Sequence, residues 1–441
     1  MNYKIETLGC KVNQVESAAL ETLLKARGHA PASPDAACDA VIINSCAVTG
    51  DASRQSRQTA RRLLREHPGA LLAVCGCASQ IAPEEMAALG AALIGGSGDR
   101  KAFIEELEVL IARGKSLITE GEISAKTIVG NPAKRRIIEP LPSGAPDGRT
   151  RAMIKIQDGC DNFCSYCVIP YARGRVRSLP IPDAVAEGKA LEAQGFREIV
   201  LTGIEISSYG KDLPLVRQDA PSLADVVCAI SRAVPSVRLR LGSLEPSMIT
   251  PEFVDALAAA PNLCEHFHLS LQSGSDDVLR RMRRKYSTAE FYNALSTLRE
   301  RFPNCGATAD LIMGFPGETE HEVQETLYFL EKCAFSRLHV FPYSVRPGTR
   351  AAEMPEQILN AEKKARAAMA RAVGERTASA FLAAQTGRTL EVLFERKANG
   401  VFIGHSRNYV EVGVPATRGE ALHGVLKSVA ITGVNGGVCV G

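Results

Sequence analysis

Apolar, β-branched runs recur along this 441-residue chain, and almost every one is followed by a polar turn and a helix-like segment. In the first hundred residues the runs are YKIETL (3 to 8), AVIINS (40 to 45) and ALLAVCG (70 to 76). From 151 to about 345 strand-like runs recur, RAMIKIQ, REIVLTG, VRLRLGS, HFHLSLQ, ATADLIMG and RLHVFPY, with helix-like segments between them. Strands that alternate with helices and are apolar throughout are buried on both faces, the pattern of βα units in a parallel sheet. The chain is therefore expected to be α/β, with a doubly wound parallel-sheet domain over 1–125 and a partial, open (β/α)6 barrel over 149–375. Residues 126–148 carry four prolines and three glycines without periodicity and read as a linker. A helix-like segment from about 357 to 384 leads into RTLEVLFERKANGVFIGHSRNYVEVGV and LKSVAITGV, alternating strands with glycine turns. Residues 376–441 are thus expected to form a small antiparallel β-barrel.

The N-terminus, MNYKIETLGC, has no basic start followed by an apolar core, and no stretch reaches the apolar length of a membrane helix. A cytoplasmic protein, with no membrane partner and monomeric, is the expectation. Thirteen cysteines, an odd number with metal-like spacing, suit a reducing compartment better than a disulfide framework. The net charge of +3 is too small to mark a nucleic-acid binder, so such a partner has to be sought in local patches.

Cys160, Cys164 and Cys167 stand in KIQDGCDNFCSYCVIPYARG, a CxxxCxxC spacing directly after the first strand of the expected barrel. Four cysteines would close a structural zinc or an electron-transfer cluster; three leave one iron of a cubane open to a substrate or cofactor. The weighed alternative is a zinc knuckle that lost a ligand. Barrel enzymes place their chemistry at the carboxyl-end face, where this loop falls. Cys10, Cys46 and Cys77 each end one of the first three strands, so a parallel sheet should bring them together outside its carboxyl edge. A lone cysteine at a strand end is usually a small buried hydrophobe, whereas three equivalent ones read as a second three-thiolate cluster. Cys75, the penultimate residue of its strand, is read as packing inward; Cys38, Cys228, Cys264, Cys305, Cys333 and Cys439 are assigned to cores.

CxxxCxxC with an aromatic, Tyr166, before the last cysteine resembles the signature of radical S-adenosylmethionine (SAM) enzymes. TLGCKVNQVES, NSCAVTGDASRQSRQ and VCGCASQ resemble the cysteine motifs of the methylthiotransferases within that superfamily, and the C-terminal barrel resembles a TRAM RNA-binding domain. The resemblance implies two 4Fe-4S clusters, on Cys160, Cys164 and Cys167 and on Cys10, Cys46 and Cys77, together with SAM. It further implies that Tyr166, Thr202, Gly203, Glu205, Ser243, Glu245, Gln272, Ile312 and Gly314 meet SAM at the carboxyl ends of the barrel strands. For each strand-end residue the competing reading is a cap on the next helix.

Basic residues cluster at Arg54, Arg57, Arg61 and Arg65 on one helix face, at 131–177 (nine Lys or Arg against four Asp or Glu), and at RRMRRK, 280–285. Patches near both expected clusters suggest a phosphate-rich substrate, with Arg173, Arg175, Arg283 and Arg284 as further RNA contacts. In the C-terminal barrel Arg396, Lys397, Arg407 and Tyr409 are RNA candidates.

GCKVNQ at the first cysteine and CAVT at the second are most similar to the MtaB-like branch. That branch implies transfer of a methylthio group to C2 of N6-threonylcarbamoyladenosine beside the tRNA anticodon, with one SAM as methyl donor and another as the source of a deoxyadenosyl radical. The base must turn out of its stack to be reached, and an electron donor such as flavodoxin or ferredoxin is required. Three alternatives stand beside it: the branch acting on isopentenyladenosine, the branch acting on a ribosomal-protein aspartate, and a non-catalytic iron-sulfur RNA-binding protein.

Overall fold

The computed structural model describes residues 1–33, 37–48, 50–113, 125–143, 149–214, 220–417 and 419–441, without the side chains of 51–53. The chain forms two compact units, one of Met1–Pro146, Gln157–Leu179 and Ser344–Thr349, the other of Asp147–Ile156, Pro180–Tyr343 and Arg350–Gly441. The cysteine loop after the first barrel strand therefore belongs to the same unit as the N-terminal sheet.

That sheet has six parallel strands, β1 (Asn2–Thr7), β2 (Ala30–Pro31), β3 (Ala40–Ser45), β4 (Leu71–Gly76), β5 (Leu93–Gly95) and β6 (Lys126–Ile128), in the order β2-β1-β3-β4-β5-β6. Every residue of β3 and β4 is buried, so both faces are covered, as the unbroken apolar runs require. The helices α1 (Lys11–Ala26), α2 (Gly50–Glu66), α3 (Cys77–Ile81), α4 (Pro83–Ala87) and α5 (Arg100–Ala112) alternate with them. Leu20 and Leu24 of α1 and Phe103, Ile104 and Leu107 of α5 share one core with Tyr3, Ile42, Ala73, Cys75 and Leu93. The chain steps from β1 outward to β2, then back across β1 to β3, and this reversal opens a crevice outside the carboxyl ends of β1 and β3.

The expected linker is largely part of this unit. Lys126–Ile128 adds the edge strand β6, too short to show a strand period, and Ile138 and Leu141 are buried. Residues 144–148 of that segment lie outside the described residues.

In the second unit all six expected runs are parallel strands in sequential order: Arg151–Lys155, Glu198–Thr202, Arg238–Leu241 with its continuation Ser243–Leu244, His266–Gln272, Gly306–Met313 and Arg337–Pro342. The third is broken at Gly242, whose N–H turns back to the Leu201 carbonyl at 2.8 Å. One 24-residue helix, Asn360–Ala383, then runs across the boundary expected at 375/376. Six C-terminal strands follow, packed around Val392, Phe394, Phe402, Val412 and Cys439. One pairing in that sheet, Glu411–Pro415 with Val438–Val440, is parallel where an all-antiparallel barrel was expected.

The C-terminal sheet docks on the amino ends of the barrel strands. Glu198, fully buried, is held by Arg240 Nε (2.8 Å) and by both Arg238 Nε (3.1 Å) and Nη2. Arg238 and Arg240 in turn donate to the carbonyls of His405, Ser406 and Arg407. The Tyr409 ring stacks between His266 (4.6 Å) and His405 (4.7 Å), with the Arg240 guanidinium 4.7 Å from its centroid.

Candidate functional site

Cys10 follows β1 as the N-cap of α1, Cys46 follows β3 and Cys77 opens α3 directly after β4. The three thus stand at the carboxyl ends of neighbouring strands, at and beside the crevice. Two glycines make the turns possible. Gly9 has φ +98°, and a Cβ there would lie 2.6 Å from Cys46 Sγ; Gly76 has φ +106°, and a Cβ there would lie 2.4 Å from the Ser45 carbonyl. A β-carbon in either place would push the cysteines apart.

Cys46 and Cys77 are buried while Cys10 is exposed. Burial pushes the Cys46 thiol up and the Cys77 thiol up to about 12; each also feels the charge of Cys10, and Arg173 opposes both shifts. The three thiols are therefore within electrostatic reach of one another, and the buried ones need a cation or metal to ionise. Cys75 packs in the sheet core, its thiol raised by burial to about 11, as its inward reading requires.

The second triple lies in a loop tied at its base by a two-residue antiparallel ladder, Gln157 opposite Ser178 and Asp158 opposite Arg177. Cys160, Cys164 and Cys167 are each half-buried. Backbone N–H groups reach the sulfurs, Asn162 to Cys160 and Ile169 to Cys167, both at 3.5 Å, the donor arrangement that supports a metal-bound thiolate. The Cys160 N–H is fixed by the Gly174 carbonyl at 3.0 Å. Phe163 and Tyr171, both exposed, form an edge-to-face pair at 5.9 Å beside these cysteines that sequence reasoning did not single out. Among the described residues no three His, Cys, Asp or Glu side chains close on a single ion. A four-iron cluster spreads its thiolates over a wider cage than one ion does, and both donor sets, three thiols with cationic or N–H support, fit it.

The two cysteine sets meet through the short helix Ile169–Arg173, which packs against α3 and receives the Ser97 hydroxyl at the Ala172 carbonyl (2.6 Å). Arg173 ends that helix. It was expected to face RNA, but it is fully buried, bonded to Glu16, Asp158, Asn13 and Cys77, and no phosphate reaches it. Asn13 and Glu16, on α1 just past Cys10, were passed over; their signal was their place in GCKVNQVES.

The remaining RNA candidates divide. Arg54, Arg61 and Arg65 are exposed on α2, and Arg57 contacts Glu85 at 3.3 Å. Arg175 and Arg283 are exposed. The Arg284 side chain is only 6% exposed, ion-paired with Glu245 and stacked on Tyr286, so it is a second correction. Arg407 is a third: its guanidinium donates to the carbonyls of Pro261 (2.7 Å) and Leu263 (2.6 Å), and Tyr409 is enclosed as described. Arg396 pairs with Glu411 at 3.4 Å, and Lys397 lies over Phe402.

The residues expected to meet SAM stand at the carboxyl ends of the barrel strands in the second unit. Thr202 is buried, its carbonyl bonded to the Ile156 N–H at 2.9 Å, and Gly203 is half-buried. Glu205 accepts from Ser208. Ser243 is exposed, while the Glu245 carboxyl is raised by burial against the opposing charge of Arg284. Gln272 has φ +65° at a bulge in its strand, a backbone state that non-glycine residues hold only when their surroundings impose it. Ile312 is half-buried, and Gly314 has φ +76° with its N–H on Glu318 at 2.7 Å. Tyr166 lies in the cysteine loop of the first unit, half-buried.

Residues 154–330 match the Radical SAM superfamily and residues 2–95 match the uncharacterized protein family UPF0004. The chain is 36% identical over 92% of its length to the threonylcarbamoyladenosine tRNA methylthiotransferase MtaB of Bacillus subtilis, covering 88% of that protein. It is 33% identical to the tRNA-2-methylthio-N(6)-dimethylallyladenosine synthase of Symbiobacterium thermophilum, over 97% of this chain and 91% of that one. Among solved structures, the radical SAM methyltransferase TsrM of Kitasatospora setae superposes with a TM-score of 0.54 over 80% of this chain and 77% of that one, at 16% identity, a likeness of fold. With both matched domains in the order the cysteine motifs implied, and with an MtaB relative matching nearly end to end, the chain belongs to the MtaB family of radical SAM methylthiotransferases.

Proposed function

We propose that this chain transfers a methylthio group to C2 of N6-threonylcarbamoyladenosine next to the anticodon of tRNA. The observation that carries this reading is the gathering of both three-cysteine sets in one compact unit, joined by the contact between α3 and the helix Ile169–Arg173. Cys160, Cys164 and Cys167 would hold the cluster that binds SAM, and Cys10, Cys46 and Cys77 the second 4Fe-4S cluster. When bound, these groups supply a reducing electron, a carbon radical and an activated sulfur.

The protein's own contribution is position and exclusion. The backbone N–H groups of Asn162 and Ile169 orient two of the loop thiolates. Thr202, Gly203, Glu205, Ser243, Gln272, Ile312 and Gly314, with Tyr166, would seat SAM, while Glu245 acts through its pairing with Arg284. Burial of Cys46 and Cys77 shields two of the three thiols of the second set from water. Arg54, Arg57, Arg61 and Arg65 form a cationic face for tRNA phosphates, joined by Arg175 and Arg283, since phosphate contacts position a nucleic acid and the pocket specifies the base. The C-terminal sheet would act as a TRAM-type RNA-binding domain through Arg396 and Lys397, the substrate being the anticodon stem-loop. A monomeric chain fed by flavodoxin or ferredoxin completes this reading.

The test is mass spectrometry of nucleosides from tRNA incubated anaerobically with cluster-reconstituted protein, SAM, sulfide and dithionite, in a pool holding both threonylcarbamoyl and isopentenyl adenosine. A methylthio adduct on the threonylcarbamoyl nucleoside alone is expected. An adduct on the isopentenyl nucleoside alone would move the chain to the other tRNA branch. No adduct on either would turn the search to a protein substrate.

A further inference from the structure

Arg173 offers five N–H donors, the full complement of a guanidinium, and each has an acceptor. Nη1 donates to Glu16 Oε1 (2.7 Å) and Asp158 Oδ1 (3.2 Å), Nη2 to Asn13 Oδ1 (2.9 Å) and Glu16 Oε2 (3.2 Å), and Nε to Cys77 Sγ (3.2 Å). Four of the five bonds clamp the planar group, and the fifth is thereby aimed at sulfur. Asn13 is fixed in turn by donating to the carbonyls of Leu8 (2.8 Å), the residue after β1, and Ser45 (3.0 Å), the last of β3, so the clamp is referenced to the strands that lead to Cys10 and Cys46.

Glu16 is shared between Arg173 and Arg100, and Asp158 between Arg173 and Arg177, all of them buried. The guanidinium is thus held by charged partners on both Nη atoms, and its Nε–H keeps a cationic donor 3.2 Å from the Cys77 sulfur.

From this geometry we infer that Arg173 is a positioning residue that sets the reduction potential of the cluster held by Cys10, Cys46 and Cys77. The inference rests on the reading of those three cysteines as cluster ligands. Cluster potentials respond to net charge and to hydrogen bonds on the ligating sulfurs. One-electron reduction adds negative charge to the cluster, so a fixed cationic donor on Cys77 stabilises the reduced state and raises the potential. Arg173 also sits six residues after Cys167 in the same loop. The side chain that tunes one cluster is thereby carried by the segment that binds the other.

The experiment is an anaerobic dithionite titration, followed by electron paramagnetic resonance, of the Cys160→Ala, Cys164→Ala, Cys167→Ala chain, in which only the second cluster contributes a signal. Arg173→Met is expected to move the midpoint to more negative potential and Glu16→Gln to move it to more positive potential, because the latter leaves Arg173 less neutralised. Arg173→Lys should fall between Arg173→Met and the parent. If Arg173→Met does not fold, the opposed pair Glu16→Gln and Arg173→Lys still carries the test. Equal midpoints in all variants that retain the iron of one four-iron cluster would overturn the inference. Iron content reports separately on the ligand reading: a triple-alanine parent that assembles no cluster overturns that reading and the inference with it.

Discussion

Glu16 and Glu198 are the same device in two parts of the chain, a carboxylate with essentially no solvent exposure held between arginines. Around Glu198 the device closes on the backbone: the remaining N–H groups of Arg238 and Arg240 reach the carbonyls of His405, Ser406 and Arg407, which cannot ionise, and the cysteine in reach, Cys264, donates to the carboxylate (3.9 Å) and receives no arginine N–H. Around Glu16 one donor of Arg173 is left for a cysteine sulfur. A closed network fixes how two elements dock, whereas a network that ends on a thiol acts on whatever that thiol holds. Buried ion pairs are weak evidence for stability, since desolvation offsets most of their attraction, so where such a network terminates says more than how many members it has.

The largest effects should come from the cysteines themselves. Cys160→Ala is expected to abolish both 5′-deoxyadenosine release and methylthio transfer. Cys77→Ala should keep 5′-deoxyadenosine release and lose the methylthio nucleoside, a split that chromatography of the two products resolves. Equal loss of both products in the two variants would remove the distinction between the sets.

Glu198→Ala removes the buried carboxylate that two buried guanidiniums share and should cost about 3–5 kcal/mol in urea unfolding, with no change in the potential of either cluster. The pH dependence follows from the same group. Burial opposes ionisation of Glu198, but Arg240 and Arg238 more than offset it and hold its carboxyl well below the usual range. Its contribution is therefore complete above the unfolded carboxylate value of about 4.3 and is lost as pH falls below it towards the folded value. Parent protein should lose stability more steeply than Glu198→Gln on acidification below that value, and parallel curves would refute the assignment.

A smaller effect is expected at Gly76, where alanine must adopt φ +106° against the Ser45 carbonyl. Strain of about 1–3 kcal/mol should appear as reduced iron retention at the second cluster while the first is unaffected. The smallest effects separate RNA-binding arginines from docking arginines. Arg61→Ala with Arg65→Ala should weaken tRNA binding and lower the salt slope by about 0.9 for each phosphate no longer neutralised. Arg407→Ala should leave tRNA affinity unchanged and cost about 1–3 kcal/mol of stability for its charged hydrogen bonds. A fall in affinity without that destabilisation would return Arg407 to the RNA surface.

Much of the fold was legible because parallel strands buried on both faces must be written as unbroken apolar runs, as β3 and β4 are, and because the barrel strands, though several carry polar residues, recur between helix-like segments. The strands of the N-terminal sheet that escaped, Ala30–Pro31, Leu93–Gly95 and Lys126–Ile128, are two or three residues long and carry no readable period. The site cysteines were legible for a related reason: their spacing along the chain and their place after a strand constrain them before any packing is known.

The arginines were not. Arg173, Arg175, Arg284 and Arg407 look alike as letters, because the charge and length that suit a phosphate also suit a buried carboxylate or a row of carbonyls. Sequence alone determined that this chain alternates strand and helix, places two sets of three thiols at strand ends, and matches one family of enzymes. Tertiary structure decided that both sets share a compact unit, that the expected linker supplies an edge strand, and that Arg173 turns away from solvent onto Glu16 and Cys77. Strand period and cysteine spacing are local properties of the chain, whereas the partner of a long cationic side chain is set by residues as far as 160 positions away in sequence.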